Sequence, residues 1–194
     1  MKKTGIIVML MIFCIFVGCG NKDELGENTV EVSQKGWIKA TVHETFDKDY
    51  YDKKELQTMV ENAIEEYNSS AGSERIELNT LSVKGNAAHA TITYAGDEDY
   101  EKFNQIGIYN GTVKEMDETI YDAQAELMDQ NGDKIPLRNL ILSDDSYHLA
   151  ILQETCILET SGKILYTSSN VELKGKKTAE VTADHKSYAY VVYE

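Results

Sequence analysis

The sequence predicts an α+β domain, built mostly from antiparallel sheet, with one main amphipathic helix and one or two short helices. The main helix is predicted at about residues 53–68, where apolar residues recur at helical spacing: Leu56, Met59, Val60, Ala63, Ile64 and Tyr67. Other stretches alternate apolar and polar residues, as half-buried strands do, and are separated by turn residues. No segment repeats at a fixed period, so we expect one domain over residues 34–194.

The first eighteen residues have the pattern of a secretory signal peptide. Lys2 and Lys3 precede an uncharged, mostly apolar run from Gly5 to Gly18. This run is shorter than the roughly 20 residues that a helix needs to cross a bilayer. A buried core helix would need a polar face, which the run lacks. Its length and basic flank therefore favour a cleaved signal peptide over residues 1–18.

The end of this run, Phe16-Val17-Gly18-Cys19, resembles the lipobox of bacterial lipoproteins, although that family usually has Leu at the position of Phe16. The resemblance implies cleavage between Gly18 and Cys19 and a diacylglyceryl group on the Cys19 thiol. Because two or three acyl chains anchor a protein stably, we expect the mature chain at the extracytoplasmic face of the cell membrane. The globular part is similar to uncharacterised lipoproteins of Gram-positive bacteria, most in residues 162–166 and 175–179. That likeness carries no known activity.

Charge excludes some classes of partner. The chain has a net charge of −14, and removal of residues 1–18 takes away two lysines and no acid. Binding to nucleic acid needs a basic surface, and so does electrostatic docking on anionic lipid, so neither is expected. The charge favours solubility through self-repulsion, or an acidic surface that collects cations or basic partners. Residues 19–33 are polar and predict a flexible tether between the lipid and the domain.

The elements near the main helix follow from local patterns. A half-buried strand is predicted at 38–43, and the helix is expected to begin after Asp52, with Glu55 three residues on, and to stop at 68–72. Next comes a hairpin with a turn at Gly85-Asn86. A change of phase near Asn79-Thr80 predicts either a bulge in its first strand or a strand with apolar residues on both faces. In its second strand the apolar face is Ala88, Ala90, Ile92 and Tyr94.

The rest of the chain predicts mostly short strands. Asp97 is expected to cap a short helix that Gly107 closes, and a strand at 106–109 is expected to enter a turn at Asn110-Gly111. Asn131-Gly132 predicts a second hairpin, with Pro136 on an edge strand. Two further strands are expected to be buried on both faces because they have no polar side; they lie at 149–152 and 188–193.

No catalytic or metal-binding motif stands out, and neither a cofactor nor a metal is predicted. The histidines stand apart in the sequence, without ligand spacing, and His43 and His89 fall on the polar sides of their strands, which favours solvated side chains; the four are His43, His89, His148 and His185. Residues 129–133 lack the glycine and glutamate positions of a calcium loop and are better explained as a turn. The acidic clusters at 97–99 and 144–145 are interpreted as a helix start and a solvated turn.

Cys156 and the tyrosines have structural interpretations. If Cys14 leaves with the signal and Cys19 is lipidated, Cys156 has no partner for an internal disulfide and is expected in the core. The chain has twelve tyrosines and four phenylalanines. Tyrosine suits binding surfaces, but half-buried strands also favour it, and we prefer the second explanation.

These observations favour a lipid-anchored binding or interaction domain without catalytic activity, whose protein or cell-wall partner is unknown. One alternative is a small surface hydrolase acting on cell wall or carbohydrate through carboxylates that meet in space. Another is the solute-binding component of a transporter, although such proteins usually close two lobes around a ligand. A deep cleft lined by acids or histidines would favour the alternatives, whereas an exposed, tyrosine-rich sheet face would favour a partner.

Overall fold

The computed structural model of the chain describes residues 26–48, 52–143, 146–184 and 186–194. These residues form two open, mostly antiparallel sheets and three helices, so the predicted α+β class is confirmed. The predicted signal peptide, with Gly18 and Cys19, lies outside the described residues.

Seven strands form what we call the large sheet, in the order β11-β12-β9-β1-β2-β4-β3. Their bounds are β1 Thr29–Val32, β2 Ile38–Thr45, β3 Ile76–Lys84, β4 Ala87–Tyr94, β9 Cys156–Thr160, β11 Val171–Leu173 and β12 Thr178–Val181. Neighbouring strands are antiparallel except β1 and β9, which are parallel. The register of β3 against β4 shifts between Leu78 and Thr80, which confirms the predicted bulge.

Six strands form the small sheet, in the order β5-β8-β13-β10-β6-β7, and all its pairs are antiparallel. Their bounds are β5 Ile108–Thr112, β6 Glu126–Asp129, β7 Lys134–Pro136, β8 His148–Leu152, β10 Ile164–Thr167 and β13 Ala189–Tyr193. The predicted hairpin at Asn131-Gly132 joins β6 to β7. Pro136 lies on the edge strand β7, as predicted, where a missing backbone N–H breaks no ladder.

The helices are α1 (Lys53–Ala71), α2 (Asp97–Asn104) and α3 (Leu137–Ile141). The predicted main helix is confirmed as α1. The Asp52 carboxylate accepts hydrogen bonds from the N–H groups of Lys54 and Glu55, at 2.7 and 3.0 Å, and so satisfies two free donors of the first turn. Gly72 ends the helix in the left-handed conformation. Among the described residues, no helix has the length and apolar character needed to cross a membrane.

Two hydrophobic cores lie on opposite faces of the small sheet. The first core joins the inner face of the large sheet, α1 and one face of β8 and β13. The second core joins the other face of β8 and β13 to α3 and to residues 113–125. This arrangement buries β8 and β13 on both faces, as the absence of a polar side in their sequences predicts.

The predicted tether at residues 19–33 extends too far, because Thr29–Val32 forms strand β1. This strand lies between β2 and β9 inside the large sheet, and its apolar side chains, Val30 and Val32, are 2% and 0% exposed. The alternation of Val30 and Val32 with Thr29 and Glu31 is a strand pattern that the polar composition of the whole stretch hides.

Two further local predictions are wrong. The strand β5 continues through Asn110 and Gly111 instead of turning there, because both residues pair with β8. The helix α2 begins at Asp97 and not after it: Gly96 is the N-cap, and Gln105 rather than Gly107 ends the helix. The Asp97 carboxylate instead accepts a hydrogen bond from the backbone N–H of Asn110, at 3.1 Å.

Candidate functional site

The outer face of the large sheet carries mainly polar side chains, and we call it the polar face. Side chains alternate between the two sides of a strand, so the residues between the core positions point away from the first core. They are Thr29, Glu31, Lys39, Thr41, His43, Glu77, Thr80, Ser82, His89, Thr91, Thr93, Ile157, Glu159, Glu172, Thr178 and Glu180. All of these side chains are half-buried or exposed. Seven strands spaced about 4.8 Å apart make this face about 29 Å wide.

A row of four threonines runs across the polar face from the central strand β1 to the edge strand β3. Thr29 lies opposite Thr41, Thr41 opposite Thr91, and Thr91 opposite Thr80. The hydroxyl oxygens of Thr41 and Thr91 are 3.2 Å apart, within hydrogen-bond distance. The row therefore presents hydroxyl groups from four adjacent strands.

One side of the polar face is acidic. Glu159, Glu172 and Glu180 lie on the three strands at the β11 side of the sheet. Lys174 bridges two of them, with its Nζ 3.0 Å from Glu172 and 2.7 Å from Glu180. Hydrogen bonds to Glu180 and Glu172 raise the pKa of Lys174. Toward the other edge, β2 and β4 contribute threonines, histidines and Lys39, which pairs with Glu31.

His43 and His89 are in direct contact on the polar face. They occupy opposite positions on β2 and β4, and their Nδ1 atoms are 2.7 Å apart. The ring centroids are 4.6 Å apart and the ring planes are almost perpendicular, at 87°. At this distance the two nitrogen atoms form a hydrogen bond, in which one Nδ1 carries the hydrogen and the other accepts. Both residues lie on the polar side of their strands, as predicted, and are half-buried; their spacing in the sequence does not indicate that the two rings are in contact.

The loop before β1 packs against this histidine pair. The Asn28 Oδ1 atom accepts a hydrogen bond from the backbone N–H of His43, at 2.8 Å. Gly26 has a φ of +84°, and a Cβ at this position would lie 2.8 Å from Nδ1 of His43. Glycine therefore suits position 26 both through its backbone conformation and through the absence of a side chain beside the imidazole.

The remaining histidines lie elsewhere. His148 is half-buried on β8, with its ring centroid 5.5 Å from that of Tyr193. Burial lowers the pKa of His148. His185 lies outside the described residues. In the described part of the chain, no group of three or more His, Cys, Asp or Glu side chains is placed to hold a metal ion.

A buried tyrosine and a glutamate form a second polar contact, beside the first core. The Tyr100 hydroxyl donates a hydrogen bond to Oε1 of Glu154, at 2.5 Å. Burial raises the pKa of Glu154, and the hydrogen bond from Tyr100 partly opposes this. Burial also raises the pKa of the nearby Cys156 thiol, which is 5% exposed. Cys156 is thus a core residue, as predicted, and its thiol is poorly suited to nucleophilic chemistry.

The acidic clusters have structural partners. The Asp129 Oδ1 atom accepts the N–H groups of Asn131 and Asp133, both at 2.8 Å, which confirms that residues 129–133 form a hairpin turn. These backbone hydrogen bonds lower the pKa of Asp129. Asp99 pairs with Arg75 at 2.7 Å. The pair Asp144-Asp145 lies outside the described residues.

Most of the described tyrosines pack around the second core rather than on the polar face. Four of them form a row of neighbouring rings. The ring centroids are 5.8 Å apart for Tyr109 and Tyr121, 5.3 Å for Tyr121 and Tyr188, and 6.4 Å for Tyr188 and Tyr190. The Tyr109 hydroxyl donates to the carbonyl of Thr112, at 2.7 Å. Three of these rings are half-buried and that of Tyr190 is buried, which fits the strand-packing explanation of the tyrosine enrichment.

An open groove of about 320 Å³ lies between α1 and β3. It is lined by Glu61, Ile64, Glu65, Asn68, Ser69, Glu74 and Leu78. Asn68 lines the groove, and its side chain forms hydrogen bonds with both the N–H and the carbonyl of Ile76. It thereby satisfies two backbone groups at the edge of β3. The groove is shallow and has exposed acids on its rim.

Comparisons with protein-family models, with curated proteins and with solved structures find no match to this chain.

Proposed function

We propose that the chain is a lipid-anchored extracytoplasmic binding domain without catalytic activity, and that it binds its ligand through the polar face. The observation that carries the proposal is this face itself: seven strands wide, rich in hydroxyl groups, and holding the contact between His43 and His89. A sheet that needed only a soluble outer surface would not need two histidines in direct contact on β2 and β4.

The anchor part of the proposal rests on the sequence. The lipobox-like residues 16–19 supply a thiol for lipid at Cys19. Residues 26–28 pack on the domain beside His43, so residues 20–25 link the domain to Cys19. An extended chain of that length spans about 20 Å, which sets how far the domain can lie from the lipid.

Metabolic labelling with a palmitate analogue tests the anchor. The wild-type chain, expressed in a bacterium that processes lipoproteins, should be labelled and should sediment with the membrane fraction. The Cys19→Ala variant should be unlabelled. Equal labelling of the two chains would exclude Cys19 as the lipidated residue.

A thermal-shift screen against sugars and peptides tests the polar face, because a ligand of the folded state raises the unfolding temperature. A ligand that stabilises the wild type should lose its effect in Thr91→Arg, which places a long cation in the threonine row. Thr58→Arg, on the exposed side of α1, adds the same side chain elsewhere and should keep the effect. A ligand that acts equally on both variants would place the binding site off the polar face.

A further inference from the structure

We propose that His43 and His89 form a binding site for a divalent transition-metal ion that favours imidazole, namely Zn²⁺, Cu²⁺ or Ni²⁺. This inference rests on the proposed function in using the same face, and it names a class of ligand for it. It does not depend on the lipid anchor or on a macromolecular partner.

The backbone holds the two imidazoles on the same side of the sheet. His43 and His89 are directly opposite each other in the register of β2 and β4. Residues opposite one another on antiparallel strands have Cβ atoms about 5 Å apart and point the same way. Eight consecutive residue pairs, from Ile38–Tyr94 to Thr45–Ala87, fix this register. The two ligands are therefore positioned by rigid strands and need no loop to close.

The distance between the nitrogen atoms is close to what a shared metal requires. Zinc–nitrogen bonds are about 2.0–2.1 Å long, so two nitrogens on a tetrahedral ion lie about 3.4 Å apart. The two Nδ1 atoms are 2.7 Å apart. A separation larger by about 0.7 Å needs only small rotations of the two rings, because the half-buried side chains lie on the outer side of the sheet.

Metal binding replaces the hydrogen bond between the two imidazoles and requires only a change of tautomer in one of them. In a neutral pair, one imidazole carries its proton on Nδ1 and donates it to the other Nδ1. When the metal binds, that imidazole takes the tautomer with its proton on Nε2, and both Nδ1 lone pairs then bind the ion. No other group has to be oxidised or reduced. Water or a partner's side chain completes the coordination.

The surroundings of the pair bear on cation binding. Gly26 lies beside Nδ1 of His43, where a Cβ would come within 2.8 Å, so a larger residue at position 26 would crowd this nitrogen. The net charge of the chain is −14, which raises the local concentration of cations. Imidazole nitrogen selects Zn²⁺, Cu²⁺ and Ni²⁺ over Ca²⁺ and Mg²⁺, which prefer oxygen ligands.

Calorimetric titration of the full chain with Zn²⁺ and with Cu²⁺ tests the site. The chain is purified in detergent with Cys14 and Cys19 replaced by Ser, so that their thiols do not compete for the metal. An excess of Mg²⁺ occupies surface carboxylates. We expect one saturable site per chain. His43→Asn and His89→Asn should each lower its affinity for the metal at least about tenfold. The affinity should also fall with the pH, because imidazole binds metal only when neutral. His148→Gln is the matched control and should bind as the wild type does.

A second measurement uses the wild-type chain, so that a variant that fails to fold does not leave the question open. Substoichiometric Cu²⁺ should broaden the NMR signals of two histidine rings before those of the others, and Gly26→Ala should weaken this effect. Absence of a saturable site, or a site that both Asn variants retain, would overturn the metal proposal. A sugar or peptide blocked by Thr91→Arg would still support the polar face, so the two proposals fail separately.

Discussion

Arg75 and Asp99 form a bidentate ion pair that links the residue before β3 to the first turn of α2. Nε of Arg75 lies 3.2 Å from Oδ1 of Asp99, and Nη2 lies 2.7 Å from Oδ2. The Tyr67 hydroxyl, from α1, donates to the same Oδ1 at 3.0 Å. The Asp99 side chain is only 7% exposed, whereas that of Arg75 is 42% exposed. One buried carboxylate thus holds together three elements around the large sheet.

We expect Asp99→Ala to lower the free energy of unfolding by about 2–3 kcal/mol, because it leaves the Arg75 guanidinium and the Tyr67 hydroxyl without their acceptor. The value is below that of a fully buried pair, since water reaches Arg75 and replaces part of the lost interaction. Denaturant unfolding measures the change. Lys102→Ala breaks the exposed pair between Lys102 and Glu98 on the same helix and should leave the free energy of unfolding almost unchanged, because water screens this pair. Similar losses in the two variants would contradict a special role for Asp99.

The sequence predicts those parts of the fold whose signals are local. The helix α1, its cap at Asp52 and its end at Gly72 all follow from residues within one segment. The same is true of the bulge near Asn79-Thr80 and the hairpin at Asn131-Gly132. Capping, helical spacing and turn chemistry act over a few residues, so the chain itself shows them.

Pairings between distant residues could not be predicted in this way. β1 pairs with β9 across more than a hundred residues, and no local pattern indicates which strand lies beside it. The contact between His43 and His89 depends on the register of β2 against β4. Each histidine alone resembles a solvated side chain, so the site becomes visible only when the two strands are aligned.

Asn110 shows how a distant contact overrides a local turn signal. Its side chain, in a residue 7% exposed, donates to the carbonyl of Ser33 and accepts from the Tyr193 hydroxyl, both at 3.0 Å. We expect Asn110→Ala to cost about 1–3 kcal/mol, because it leaves both groups buried and unpaired. In a double-mutant cycle with Tyr193→Phe, the coupling should be about 1 kcal/mol. Strict additivity of the two changes would contradict the hydrogen bond.

Glu154 should make stability depend on pH in a defined direction. Burial raises the pKa of its carboxyl group, so the folded chain holds this proton more tightly than the unfolded chain does. Its contribution to stability is complete below the unfolded pKa of about 4.3 and is lost as the pH rises through the folded pKa. Glu154→Gln stays neutral and keeps an oxygen to accept the Tyr100 hydrogen bond.

The variant Glu154→Gln should therefore gain stability relative to the wild type as the pH rises from about 4 to 8. Thermal unfolding across this range measures the difference. Tyr100→Phe removes the hydrogen bond that lowers the pKa of Glu154 and should move the loss of stability to higher pH. A difference between Glu154→Gln and the wild type that does not change with pH would contradict the raised pKa.

Gly162, in the turn between β9 and β10, lies against the backbone of Glu194, and a Cβ at this position would overlap the Glu194 carbonyl group. The Glu194 N–H donates to the carbonyl of Lys163 at 3.0 Å, so moving this backbone disturbs the bond. We expect Gly162→Ala to cost about 1–2 kcal/mol in denaturant unfolding. Gly175→Ala is the matched control: its new Cβ would have no neighbour closer than 3.8 Å, and the change should be close to neutral. Equal effects of the two substitutions would show that backbone entropy, and not the overlap with Glu194, decides the cost.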